Sequence, residues 1–382
     1  MYVHLPWCVK KCPYCDFNSH TLRKNLDEEN YTRALLNDLA VEVERFETRP
    51  ALESIFIGGG TPSLFSGESI GKLIMGIENY FNIDESTEIT LEANPGTADE
   101  GRFRAYREAG VNRLSIGIQS FNDNHLGVLG RIHGKDQALS AVDMAIKAKF
   151  TNFNLDMMYC LPGQNPEQAS QDIAQAIALA PTHISAYQLT LEPNTLFAAK
   201  PPELPDDETG WQIQQAYWTA LEESNYDQYE ISAYGKANRQ CLHNLNYWQF
   251  GDYLGIGAGA HGKLSLGDGV FRTSKPRHPD QYLKTFINKP ADNTAFIKAV
   301  SKSDLPLEFM MNILRLKSGF SLDRFENATG LDRSTVTRPL MRAIRQGLLI
   351  ESSSVYRPSR KGELFLDDLL QLFIPDRHQE VA

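Results

Sequence analysis

Two alternating patterns of apolar residues run along this chain. Short apolar stretches, read as buried strands, cover Tyr2–Leu5, Ser54–Gly58, Glu88–Glu92, Arg113–Gln119, Phe153–Met158 and His183–Leu189. Between them apolar positions recur every three or four residues, the spacing of an amphipathic helix. Asp27–Arg45 sets Tyr31, Leu35, Leu39 and Val43 on one face, and Ala98–Ala109, Lys135–Lys149, Pro166–Leu179 and Asp207–Glu223 continue the series. Regular alternation of strand and helix predicts a parallel sheet covered by helices, an α/β fold. Six strands rather than eight predict a partial (β/α)6 TIM-like barrel, open on one side. Cys8, the glycines at 58–60, Glu92, Gln119 and Asp156 fall at or just after strand C-terminal ends. That edge is where parallel α/β sheets and barrels bind ligands.

From about Tyr226 the pattern changes. Tyr229–Tyr234 reads as one more strand, followed by a polar, aromatic-rich segment to Phe250 and a glycine-rich loop, Gly255–His261. Lys275–Pro279 and Pro290 predict a linker. Beyond Leu307 come helices near Phe309–Leu316, Ser321–Ala328 and Ser334–Gln346, a hairpin over Leu348–Tyr356 and a final helix over Lys361–Phe373, the order of a winged helix. The predicted division is therefore a barrel over 1–235, an aromatic and glycine-rich segment with linker over 236–295, and a small C-terminal helical, winged-helix-like domain over 296–382.

Composition narrows this picture. A chain of 382 residues with 42% hydrophobic and 23% charged residues can build a real core. A formal charge of −10 argues against nucleic acid as a partner. Glu351, Glu363, Asp367 and Asp368 point the C-terminal module towards packing or docking instead. Five cysteines, three of them crowded together, fit metal ligation in a reducing compartment. No apolar run reaches membrane-spanning length and no secretory leader is visible, so the expected location is cytoplasmic.

The candidate chemistry begins with Cys8-Val-Lys-Lys-Cys12-Pro-Tyr-Cys15. Three thiolates on one loop can hold three corners of a cubane iron–sulfur cluster and leave one iron open. A zinc site with His4 or His20 as fourth ligand is the alternative, although zinc sites usually pair CxxC units. Gly58-Gly-Gly-Thr61-Pro62 lets backbone approach a ligand, or simply makes a turn. Glu92 suits a ribose hydroxyl or an ammonium group, and Gln119 and Arg131 can supply an amide and a guanidinium. Asp156 lies in an otherwise apolar strand and needs a partner. His243-Asn-Leu-Asn-Tyr247-Trp248 can ligate haem iron beneath aromatic rings, or can fill a core. Cys241 reads as a small buried residue.

The CxxxCxxC spacing resembles the signature of the radical S-adenosylmethionine (SAM) superfamily, and Gly59-Gly60-Thr61-Pro62 resembles its GGTP motif. With Tyr2-x-His4-x-Pro6, Leu91-Glu-Ala-Asn-Pro95, Ile118-Gln-Ser-Phe121 and Asp156…Leu161-Pro-Gly163, the whole chain resembles the group that contains oxygen-independent coproporphyrinogen III dehydrogenase. Two departures separate it from that enzyme: Phe17 stands where the dehydrogenase has a further cysteine, and only seven residues precede Cys8. His243-Asn-x-x-Tyr-Trp248 is similar to the HNxxYW motif of the HemW-type haem chaperones, to which haem binding is attributed. The resemblance implies a 4Fe-4S cluster on Cys8, Cys12 and Cys15. It implies SAM contacts at Tyr2, Tyr14, Gly59, Gly60, Thr61, Glu92, Gln119, Arg131 and Asp156, with backbone contacts near Thr190 and Gly255–His261. It further implies haem contact at His243, delivery of haem to acceptors such as respiratory enzymes, and a homodimer linked through the cluster region. Oxidative decarboxylation of coproporphyrinogen III is the second activity it implies. No catalytic residue is assigned.

Overall fold

The computed structural model describes residues 1–23, 25–45, 51–267, 269–288 and 297–375. Its main sheet contains the six expected strands, β1 (Tyr2–Leu5), β2 (Ser54–Gly59), β3 (Glu88–Ala93), β4 (Arg113–Gln119), β5 (Phe153–Tyr159) and β6 (His183–Gln188). They lie side by side in chain order and parallel throughout. Ile55, Ile57, Leu91, Leu114, Ile116, Leu155 and Ile184 are all buried, as expected of strands covered on both faces.

The covering helices are α1 (Glu28–Val43), α2 (Gly67–Glu78), α3 (Glu100–Glu108), α4 (Lys135–Lys147), α5 (Pro166–Ala178) and α6 (Asp207–Glu223). Their starts are written in the sequence. The Asp27, Ser66, Asp99, Asn165 and Asp206 side chains each accept from a first-turn backbone N–H, and Asn165 and Gln168 form a capping box behind Pro166. α2 is not among the expected helices, although Ile70, Leu73, Ile74 and Ile77 fall on one buried face at helical spacing. Its Gly76 has a packing reason, since a Cβ there would stand 2.3 Å from Leu36 Cδ2 of α1.

The edges of the sheet differ from the reading of the sequence. Tyr229–Tyr234 is not one strand but two, β7 (Asp227–Glu230) and β8 (Ala233–Gly235), turned at Ile231-Ser232, with β8 pairing antiparallel to both β7 and β6. The aromatic segment contains a helix, α7 (Leu242–Trp248). The glycine loop supplies β9 (Gly255–Ile256), which pairs parallel with β1. The sheet order is β9-β1-β2-β3-β4-β5-β6-β8-β7, and among the described residues no ladder joins its two ends. A hairpin of β10 (His261–Leu266) and β11 (Gly269–Ser274) follows.

The predicted linker is a buried anchor. Lys275 is 4% exposed, and its Nζ lies 2.8 Å from Asp38 and 2.5 Å from Glu42. Burial pushes the Asp38 carboxyl up to about 6, with Lys275 opposing. Pro279 opens α8 (Pro279–Phe286), whose Tyr282 hydroxyl donates to Asp38 at 2.8 Å. A buried lysine with two carboxylates cannot be told from a surface basic stretch by composition alone. Pro290 lies outside the described residues.

The C-terminal module runs α9 (Leu305–Ile313), β13 (Phe320–Ser321) after the short β12 (Ile297–Ala299), α10 (Leu322–Thr329), α11 (Ser334–Arg345), and the wing β14 (Leu349–Ser352) with β15 (Val355–Pro358). Phe309, Phe320, Phe325, Val336 and Leu340 fill its core. The expected last helix is broken at Phe365 into α12 (Arg360–Leu364) and α13 (Leu366–Gln371). The module rests on the sheet edge through Arg315, which reaches Glu230 at 3.1 Å and lies over the Trp248 ring.

Candidate functional site

A cavity of about 440 Å³ opens above the C-terminal ends of the parallel strands. Cys8, Cys12 and Cys15 line it, all free and half-buried. Their loop is closed by backbone pairing of Trp7–Cys8 with His20–Thr21 and is tied down by Asn18, whose amide donates to Ala258 and Arg277 carbonyls at 2.8 and 2.9 Å. Among the described residues no three Cys, His, Asp or Glu groups converge as a single metal ion would require. A cubane gives each thiolate its own iron, so it suits a more open triangle of sulfurs. Burial pushes the Cys8 and Cys15 thiols up, and coordination to iron is a chemistry that would draw them to thiolates. Arg131 Nη1 stands 3.8 Å from Cys12 Sγ.

The strand ends bring the other groups to the same space. Tyr14, Gly59, Gly60, Thr61, Glu92, Gln119, Arg131 and Asp156 all line the cavity, as does Thr190. The glycines answer first to packing: a Cβ on Gly59, at φ +116°, would stand 2.5 Å from the His4 ring, and one on Gly60 would stand 2.5 Å from the Trp7 carbonyl. Gly59 N–H donates to Glu92 at 3.0 Å. Gln119 reaches the cavity from a left-handed backbone (φ +70°), where the β4–β5 register slips. Arg131 Nη2 donates to the Gly117 carbonyl at 2.7 Å, while its Nε is buried without a partner.

Two carboxylates share this space. Burial, reinforced by the like charge of Asp156, pushes the Glu92 carboxyl up to about 8. Burial also raises Asp156, against hydrogen bonds from Ser115 and Asn154 at 2.9 Å each. Acids held this way favour a cationic or hydroxyl-bearing ligand, and Arg131 can meet a carboxylate. The donor set therefore fits an aminoacyl sulfonium nucleoside such as SAM beside an iron cluster.

Two predicted site residues do not line the cavity. His243 lies on α7 and is 1% exposed; its Nδ1 pairs with Ser54 Oγ at 3.1 Å and its ring stacks on Phe56 and Tyr2. Ser54 opens β2 and Gly59 ends it, so His243 pairs with the end of the strand remote from the cavity-lining Gly59. Its Nε2 has no partner, and burial holds the ring neutral. The buried His243 ring presents no exposed face to haem iron. Tyr2 sits with it, its hydroxyl on His4 Nδ1 at 3.0 Å. The Gly255–His261 loop braces the cysteine loop instead of lining the cavity, since Gly259 packs against Asn18.

Several polar residues behind the site were missed. His183 bridges Asn154 (2.7 Å) and the Tyr229 hydroxyl (2.8 Å), and that hydroxyl accepts from Cys241 N at 3.2 Å. Glu88 accepts from His243 N at 3.3 Å and faces Arg113. Asn154 and Asp156, two apart on one strand face, were the available signal.

Comparison with known proteins extends this description. Residues 2–176 match the radical SAM superfamily and residues 300–365 match the HemN C-terminal domain. The chain is 48% identical to the haem chaperone HemW of Haemophilus influenzae and 46% identical to that of Escherichia coli, with 98% of both chains covered in each case. Among solved structures it is similar in fold to the coproporphyrinogen III oxidase HemN of Escherichia coli, with a TM-score of 0.80 at 21% identity over 98% of this chain and 89% of that one.

Proposed function

Given that the chain belongs to the HemW family within the radical SAM superfamily, we propose that it is a haem chaperone that delivers haem to acceptor proteins such as respiratory enzymes. The observation that carries this reading is the full-length likeness to curated haem chaperones, 48% identity over 98% of each chain. Phe17 in the dehydrogenase's cysteine position supports it. In this reading Cys8, Cys12 and Cys15 hold a 4Fe-4S cluster. Tyr14, Gly59, Gly60, Thr61, Glu92, Gln119, Arg131 and Asp156 hold SAM, with Tyr2 positioned behind them. The cluster and SAM, when bound, supply one-electron chemistry. The protein's part is to bind and orient them and to exclude water.

Haem is cargo, and His243 is its ligand in an opened state. The unpartnered Nε2 supports ligation, while the 1% exposure requires α7 to lift away from Phe56 before iron can reach it. The free buried thiols Cys160 and Cys241 support a reducing, cytoplasmic location, and no described helix is long and apolar enough to cross a membrane. The division at 235 and 295 and a homodimer complete the proposal.

The test is His243→Ala and His243→Gln in the cluster-loaded protein, with melting curves as a check on folding. Haem retention should fall at least tenfold with iron and sulfide content unchanged. Unaltered haem binding would remove His243 from the reading.

A further inference from the structure

The C-terminal module carries a face opposite in sign to the chain's net charge. On α11, Val336, Leu340 and Ala343 turn to the core, leaving Arg338, Arg342 and Arg345 exposed at spacings of four and three, one stripe along the helix. Among the described residues none of the three has a carboxylate partner, whereas Arg333 pairs with Asp323 and Glu326, and Arg315 with Glu230. Arg342 and Arg345 also complement the helix dipole, which accounts for their placement but not for Arg338.

Beside the stripe, Arg342 and Lys361 flank a groove of about 650 Å³. Leu348 and Leu372 line it, and Phe365 is 51% exposed at its wall. Lys361 Nζ donates to the Gln346 carbonyl at 3.2 Å. Arg342 and the exposed Phe365 share this groove, and arginine and aromatic side chains are enriched at protein interfaces.

We propose that this face docks an acidic, amphipathic segment of a partner protein, with carboxylates on the arginine stripe and one large apolar side chain beside Phe365. Nucleic acid is the competing occupant for a winged-helix layout. The protein segment is favoured because Leu348, Phe365 and Leu372 give the groove an apolar portion that a phosphate backbone would leave uncovered. The inference is independent of the haem reading, and its test contains no haem.

The probe is a fluorescent synthetic helix with three glutamates at matching spacing and one phenylalanine. It is compared by anisotropy on the full chain with its lysine-for-glutamate counterpart and with a labelled DNA duplex. The acidic peptide should bind at low salt and weaken as salt rises. Arg342→Glu and Lys361→Glu should each weaken it at least tenfold, and Phe365→Ser severalfold, with melting curves unchanged. Equal binding of both peptides, or indifference to all three substitutions, would overturn the proposal. Duplex DNA binding more tightly than the peptide, and lost in Arg342→Glu, would overturn it in favour of nucleic acid.

Discussion

Glu92→Gln separates stability from ligand binding. In the folded chain burial and Asp156 push the Glu92 carboxyl from 4.5 up to about 8. The folded protein therefore keeps a proton that the unfolded chain releases, and stability falls as pH rises from about 4.5 to about 8, then levels off. Converted at about 1.4 kcal/mol per tenfold, this shift is worth about 4–5 kcal/mol. Glu92 looks partly into the cavity, and screening by water brings the figure to roughly 2 kcal/mol. Glutamine keeps an acceptor for the Gly59 N–H without the titrating proton. The two proteins should melt together near pH 5, and the variant should gain roughly 2–3 °C on wild type above about pH 8. The same change should weaken SAM binding by roughly ten- to a hundredfold in cluster-loaded protein, because a charged hydrogen-bond acceptor is lost. Thermal melts of the ligand-free pair across this window measure the first effect, and titration with SAM the second. Melting curves that stay parallel from about pH 5 to about pH 9 would refute the buried-acid argument.

Three other outcomes follow from the same geometry. Lys275→Met should cost about 3–5 kcal/mol in urea denaturation, because Asp38 and Glu42 would be left buried together without their cation. Gly59→Ala should lower stability by about 1–3 kcal/mol, since its Cβ would meet the His4 ring in a backbone conformation that disfavours side chains; equilibrium unfolding checks it. Cys12→Ala should leave the ligand-free melting temperature within about 1 °C of wild type, as expected for a half-buried side chain at the surface of a cavity. Iron and sulfide analysis after reconstitution should show the cluster lost.

The strand–helix alternation was legible because parallel strands buried on both faces leave continuous apolar runs, and polar caps mark the helix starts. The rule that ligands meet strand C-terminal ends brought Cys8, Glu92, Gln119 and Asp156 to one cavity from spacing alone. What failed has physical reasons. The glycines of α2 interrupt the run of helix formers, although Ile70, Leu73, Ile74 and Ile77 keep the helical spacing. Lys275 is basic in composition but buried by partners more than two hundred residues away in sequence. The depth of His243 depends on α7 folding back to the start of β2, a long-range contact with no local signature. The motif indicated its chemistry without indicating its end of the sheet.

The central claim is tested most directly by haem titration of the anaerobically reconstituted protein, with a parallel incubation in SAM, reductant and coproporphyrinogen III. The account predicts a stoichiometric shift of the haem Soret band, transfer of that haem to a haem-free acceptor, and no protoporphyrinogen IX. Decarboxylated product without a stable haem complex would contradict it.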